Sequence, residues 1–201
     1  MSINLKKSSH IIFFGGLLPL LSLVLAWSFN QIFPNTPFWL ESLSPIYAYA
    51  LLYSLFDKFV WNWKVFRLTK VVEFPDLRGR WTGTQRSSYK EADKNVEIPA
   101  ILEIKQTFSK IIVRAYYTKS QSECAVASLA ELNGETYLFY TYDNEPNSLK
   151  RGTMQAHKGT VKLQYLPKEN KLLGFYFNSI GNTGEMKFDY QQSDLLYRFE
   201  E

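Results

Sequence analysis

Two apolar runs stand within the first 61 residues, and an alternation of apolar and polar residues fills the rest of the chain. The first run, Ile11 to Phe29, holds no charge over 19 positions. As a helix that is enough to cross a hydrocarbon core of ~30 Å. The second, Leu43 to Phe56, spans 14 residues, extended toward the amino terminus if Glu41 lies at the interface. The connector, Asn30 to Phe38, carries Pro34 and Pro37 and no charge. This pattern predicts a hairpin of two transmembrane helices over about 11–32 and 39–60, within a segment 1–74 that includes a juxtamembrane extension. Trp61 to Lys70 reads as a continuation of the second helix, stopped by Pro75. Gly15, Gly16 and Pro19 form a close-packing or kink site in the first.

From Gly79 the period changes to two, the mark of half-buried strands. Strands are expected over 80–89, 97–107, 110–118, 123–133, 135–143, 152–157 running into 160–166, 171–178 and 185–190. Turn chemistry separates them, including an Asn133-Gly134 hairpin signal and turns over 91–95, 144–148, 167–170 and 181–184. About eight short antiparallel strands with tight connections predict an up-and-down barrel over 75–201, with a sandwich as the other architecture of that pattern. The fold class is therefore a membrane protein with an N-terminal two-helix hairpin and an all-β barrel. Closure removes edge strands that a domain beside a membrane would otherwise leave open to pairing.

Charge adds orientation. Lys6 and Lys7 precede the first run, and Lys58, Lys64, Arg67 and Lys70 follow the second, so both ends are expected in the cytoplasm of a multi-pass inner-membrane protein. Trp27, Trp39, Trp61 and Trp63 fall near the predicted span ends, where amphipathic rings favour the headgroup layer. A cleaved secretory signal is the rival reading of the first run. Against it stand the length of the apolar core, the lack of a small-residue cleavage site and the second run directly behind. The net charge of +4 is concentrated before the β region: residues 1–74 hold six Lys/Arg against three acids, and residues 75–201 hold 17 against 16. A DNA or RNA polymer is thereby disfavoured as partner, and anionic lipid meets the basic excess. Cys124 is the one cysteine, so a disulfide framework and a cysteine metal site are excluded. No P-loop, dinucleotide fingerprint, zinc signature or nucleophile elbow occurs, and neither an enzyme nor a cofactor is expected.

Taking the apolar phase of each strand as inward places Val96, Ile98, Ala100, Leu102, Ile104 and then Gln106 inside on one strand. The next inward rows read Ser120, Ser122, Cys124, Val126, Ser128, Ala130 and Leu132; Leu138, Tyr140 and Tyr142; His157, Gly159, Val161, Leu163 and Tyr165; and Met186, Phe188 and Tyr190. On the seventh strand Leu172, Gly174 and Tyr176 oppose Leu173, Phe175 and Phe177 without deciding the phase. Several rows are aliphatic at one end and hydroxylated at the other. An eight-stranded barrel holds side chains or one small ligand, and tyrosines with serines, a histidine and a glutamine suit a small polar ligand with flat rings. The same tyrosines could equally be plugs with satisfied hydroxyls. Trp81 reads as closing the barrel bottom. Arg86, Arg114 and Lys119 are candidate phosphate partners, Lys119 foremost because it adjoins Ser120.

The ordered series Pro75-Asp76-Leu77-Arg78-Gly79-Arg80-Trp81-Thr82-Gly83, Ile104-Lys105-Gln106-Thr107-Phe108, Ser120-Gln121-Ser122, Tyr140-Thr141-Tyr142-Asp143-Asn144-Glu145-Pro146, His157-Lys158-Gly159-Thr160, Leu173-Gly174-Phe175-Tyr176 and Thr183-Gly184, behind two apolar runs, resembles the SMODS-associated two-transmembrane, β-strand-rich effectors of bacterial CBASS anti-phage systems. Cys124 departs from that family's serine alternation. The resemblance implies a non-enzymatic effector whose cytoplasmic barrel binds a cyclic dinucleotide made by a partner synthase. Binding would drive homo-oligomerisation, and the membrane segments would then disrupt the bilayer and kill the infected cell. On that reading Tyr140, Tyr142 and Tyr176 stack bases, Ser120, Ser122, His157 and Thr160 hydrogen-bond phosphates or base edges, and Lys119 or Arg86 balances charge. The alternatives are a membrane-tethered lipocalin-like carrier of a small apolar ligand, a phosphodiesterase using His157, and a plugged structural scaffold.

Overall fold

The computed structural model describes residues 8–35, 37–91, 94–146 and 155–199, with the side chains of 8, 39–43, 90, 91, 94 and 95 outside that description. The expected strand over 152–154 and parts of the turns over 91–95 and 144–148 lie outside the described residues, as do Lys6 and Lys7. The chain divides into a helical unit, 2–73 with 107–109, and a β unit, 74–106 with 110–201.

In the helical unit, α1 (Ser8–Ile12) passes through a π turn (Phe13–Leu17) into α2 (Leu18–Ile32). The wide turn has a sequence cause. Pro19 has no N–H for a bond four residues back, and the Leu18 N–H bonds the Phe13 carbonyl five residues back. A Cβ at Gly16 would meet nothing within 4 Å, so the two glycines mark an irregular turn and not a close approach within the chain. Ser22, in the same helix, donates to the Pro19 carbonyl at 2.7 Å. After a short connector, α3 (Phe38–Leu55) continues through a second π turn (Phe56–Val60). The ring of Phe13 lies 5.1 Å from Phe56, and Phe14 lies 6.1 Å from Tyr53, so the start of the first helix meets the end of the second.

Among the described residues one helical stretch, Ser9–Ile32, is long and apolar enough to cross a membrane, with mean hydropathy 2.1. The second expected span is helical but falls short of that measure, because serines, tyrosines, Pro45 and the Asp57-Lys58 pair dilute it. The expected unbroken extension over Trp61–Lys70 is corrected. Trp63 is extended (φ −64°, ψ 143°), the helix restarts as α4 (Lys64–Leu68), and Lys70 takes φ 56° well before Pro75.

The β unit contains β1 (Gly79–Glu91), β2 (Lys94–Gln106), β3 (Ile111–Tyr117), β4 (Ser120–Leu132), β5 (Glu135–Pro146), β6 (His157–Leu166), β7 (Lys171–Asn178) and β8 (Thr183–Gln192). They form a closed antiparallel barrel in chain order. The seam joins β1 to β8, where Trp81 pairs Tyr190 and Ser87 pairs Gly184. Leu102, Ile104, Val113, Leu138, Leu163, Leu172 and Phe188 are buried and make the apolar half of the core. Leu77 and Trp81 close that half. The Trp81 indole N–H donates to the Leu77 carbonyl at 3.0 Å, and the Gln106 amide accepts from the Leu77 N–H and donates to the Pro75 carbonyl. Gln106 is thus a cap of the closed end and not part of a polar interior.

Two phases differ from or complete the alternation pattern. A bulge between Cys124 and Val126 shifts the β4–β5 register, and one extra residue sends every later side chain to the other face. Val126 is 67% exposed, while Ala127 and Leu129 pack on the core, so Val126, Ser128, Ala130 and Leu132 do not share the inward phase expected of them. On β7 the core takes Leu172 and Tyr176 and leaves Phe175 and Phe177 half exposed on the outer wall.

Beyond β8 the chain returns over the outside of β1 and β2. There Arg80 and Glu103, 1% and 3% exposed, form an ion pair of 2.8 Å. Glu103 also accepts from the backbone N–H groups of Leu196 and Tyr197, and Arg80 donates to the Arg198 carbonyl and the Gln191 amide oxygen.

Candidate functional site

The inward faces of β1 and of β3 to β7 become polar away from the Leu77–Trp81 closure. Tyr117, Tyr140, Tyr142 and Tyr176 come together there: Tyr140 and Tyr142 have ring centroids 6.4 Å apart, and Tyr117 and Tyr176 interact electrostatically with Tyr142. Their positions follow from strand register. Tyr142 is paired with Gly159 and Tyr176 with Gly184, each tyrosine facing a neighbouring strand that offers no side chain. His157, the first residue of β6, meets the Tyr142 ring edge-on at 6.2 Å.

Polar partners complete the layer. The Tyr176 hydroxyl and Ser87 Oγ are 2.8 Å apart, the Tyr117 hydroxyl donates to the Gln85 amide oxygen, and the Ser122 hydroxyl donates to Asn144 Oδ1 at 2.8 Å. Two buried atoms of this layer, the Tyr140 hydroxyl and Asn144 Nδ2, find no hydrogen-bond partner among the described residues. A polar atom out of water without a partner costs about 1–3 kcal/mol, so this half of the barrel carries unused hydrogen-bonding capacity in its interior.

Of the expected site residues, Ser120, Ser122, Tyr140, Tyr142 and Tyr176 are buried, and His157 is half-buried beside Tyr142. Lys119 lies exposed in the β3–β4 turn next to Ser120. Thr160 and Arg86 are not brought into the interior. Thr160 pairs with Thr141 and Phe177 in the outward phase, and Arg86 projects from the outer side of β1. Arg86 lines an outer groove of about 640 Å³ together with Phe175, Phe177 and Glu185, and the groove shares Ser87 and Tyr176 with the barrel mouth. Asn144, Ser87, Tyr117 and Gln85 were not singled out from the sequence. Tyr117 was nevertheless legible, since the alternation through Val113 and Ala115 runs on to it, whereas Asn144 reads as a turn former until β5 proves to extend to Pro146.

Burial pushes the Tyr117, Tyr140 and Tyr142 hydroxyls well above their usual pKa of 10.0, with neighbouring tyrosines adding to each. These groups are neutral hydrogen-bond donors at any physiological pH. The sign of the stability effect follows. An acid whose folded pKa is raised supports the fold below its unfolded value and loses that support as pH rises through its folded one. Stability is therefore expected to hold to about pH 9 and fall above about pH 10, with tyrosinate absorbance at 295 nm from these three residues appearing together with unfolding. Tyrosinate that forms fully while the barrel stays folded would contradict their burial. Among the described residues no cluster of His, Cys, Asp and Glu could hold a metal ion.

The comparisons with known proteins bear on this half-polar barrel. The family model described as Cap15, cyclic dinucleotide receptor domain, matches residues 72–190. A curated relative, CD-NTase-associated protein 15 of Staphylococcus schleiferi, is 27% identical over 151 residues, covering 74% of this chain and 79% of its own. The matched family region takes in all of β1 to β7 and most of β8, and with them every residue of the polar layer. The chain belongs to the Cap15 cyclic dinucleotide receptor family.

Proposed function

We propose that this protein is a membrane-anchored receptor of CBASS anti-phage defence, taking a cyclic dinucleotide at the polar mouth of its barrel and answering by self-association and damage to the bilayer. The observation that carries the ligand assignment is the pair of unpartnered buried groups, the Tyr140 hydroxyl and Asn144 Nδ2, in a chain of a cyclic dinucleotide receptor family. Phosphate oxygens and base edges supply acceptors for both. Tyrosine rings supply faces for bases, Ser120, Ser122 and His157 supply further hydrogen bonds, and Lys119 and Arg86 at the rim offset phosphate charge. Thr160, facing outward, has no part in this arrangement. No nucleophile or metal is required, so the role is binding and not turnover. Ligand held by the assembly-competent state alone shifts the population toward assemblies. Ser9–Ile32 supports the membrane anchor, with the cytoplasmic side set by the flanking lysines and the helix from Phe38 as its second pass.

The test is calorimetry of the full chain in detergent against a panel of cyclic dinucleotides and trinucleotides. Binding of at least one dinucleotide is expected, and none by a folded protein sinks the receptor reading. Tyr140→Phe gives a sharper form of it. Removing an unpartnered hydroxyl is expected to leave ligand-free stability unchanged or about 1 kcal/mol higher, while weakening dinucleotide binding about tenfold as one hydrogen bond is lost. A variant that loses stability and keeps full affinity would assign Tyr140 to structure alone. Ligand-dependent killing that survives deletion of residues 1–60 would refute the membrane output.

A further inference from the structure

Tyr142 and Gly159 sit directly opposite one another on β5 and β6. The three atoms nearest an added Cβ at Gly159 all belong to the Tyr142 side chain: Cζ, the hydroxyl oxygen and Cε1, the last at 2.6 Å. The ring therefore lies across the backbone of β6, in the space that any other residue at 159 would fill. The second tyrosine–glycine pair of the mouth is built differently. A Cβ at Gly184 would run into the Arg86 backbone carbonyl as well as Tyr176 Cε1 at 2.7 Å, so that glycine is required by the strands themselves. At Gly159 the three nearest atoms all belong to the tyrosine side chain and none to a backbone.

Tyr142 is 8% exposed in this position, edge-on to His157 and tilted against Tyr140. A ring covered to that degree offers no open face on which a base can stack. Its hydroxyl makes none of the described side-chain hydrogen bonds, unlike those of Tyr117 and Tyr176, so leaving the seat breaks none of them.

We infer that Gly159 is a positioning residue that seats Tyr142 across the barrel mouth in the ligand-free state, and that a cyclic dinucleotide is admitted when the ring leaves this seat and turns a face toward a base. This inference rests on the receptor reading above. The seated ring reduces apparent affinity by the fraction of molecules in which the mouth is closed. Ligand choice is thereby coupled to the work of unseating one ring, and a molecule without a flat base gains nothing in return.

The test uses the full chain in detergent. Gly159→Ala is expected to push the ring out, since the ring is what its Cβ meets first, with two results. Tyr142, read by mass spectrometry of tetranitromethane-treated protein without ligand, is nitrated several-fold faster than in wild type. The dinucleotide of the panel that binds wild type best binds the variant about tenfold more tightly, with the gain in the association rate. Equal nitration, or affinity unchanged or weakened, overturns the inference. Should the variant unfold, wild type labelled with 3-fluorotyrosine at position 142 reads the same motion. Its fluorine resonance is expected to shift on saturation with that dinucleotide, and an unmoved resonance overturns the seat. If no panel member binds wild type, the receptor reading fails, and ligand-free nitration alone decides whether Gly159 seats the ring.

Discussion

Replacing Arg80 by Met is expected to cost about 3–5 kcal/mol of stability, because it leaves a carboxylate buried with its charge uncompensated. Glu103 is 3% exposed and would keep only the N–H groups of Leu196 and Tyr197. The same change removes the donors to Gln191 and to the Arg198 carbonyl, so the returning C-terminal segment and the Gln191 side chain lose their bonds to the β1 guanidinium at once. Thermal and urea unfolding read by tryptophan fluorescence measure the loss. The double variant Arg80→Met, Glu103→Leu is expected to recover most of it, since hydrophobic replacement of both members of a buried pair is often close to neutral. Arg114→Met provides the contrast. Its pair with Glu123 has the similar length of 3.1 Å but is 44% and 63% exposed, and such pairs contribute about 0–1 kcal/mol. An Arg80 variant that loses no more than the Arg114 variant would show the pair to be solvated in solution.

Trp81→Ala is the second large effect, about 3–5 kcal/mol. The indole is 1% exposed, meets Tyr190 edge-on at 5.2 Å, and holds the Leu77 carbonyl through its N–H. Truncation opens a cavity at the closed end and frees one buried acceptor. Trp81→Phe separates the two terms: most of the volume stays while the Leu77 carbonyl loses its donor, for about 1–3 kcal/mol. Trp81 stands six residues from Ser87 along β1, roughly 20 Å at strand rise. Dinucleotide affinity of the folded fraction is therefore expected to match wild type in both variants. Affinity that falls in step with stability would mean that the two ends of the barrel are not independent.

Much of this architecture can be read from period-two alternation and turn chemistry. β7 lies where the pattern puts it, over Lys171–Asn178. The Asn133-Gly134 signal marks a hairpin in which both residues take positive φ, 54° and 81°. The failures have local causes. A bulge has no signature in residue type, so the β4 row inverted after Cys124. Asn144 is a good turn former in isolation, and only its pairing with Ser122 and His157 shows it to be a strand residue facing inward. Gln106 and Arg80 were equally ambiguous, because a buried polar residue looks the same in sequence whether it caps a core, clasps a tail or waits for a ligand. Tyr140 and Tyr142 were legible for the opposite reason: they continue the Leu138 row and so had to share the interior, whereas Tyr176 lies on a strand with apolar residues in both phases.

The β1–β8 seam has a consequence for how such a protein is made. Every other strand pairs with a neighbour already synthesised, but β1 must wait for β8, about a hundred residues later, before its second edge is satisfied. Domains fold as units during synthesis, and long-range pairing is slow. A nascent chain therefore keeps the mouth unassembled, with Ser87 lacking its Gly184 partner, until translation of the barrel is complete. Partial translation products lack the closed barrel, and with it the assembled polar layer.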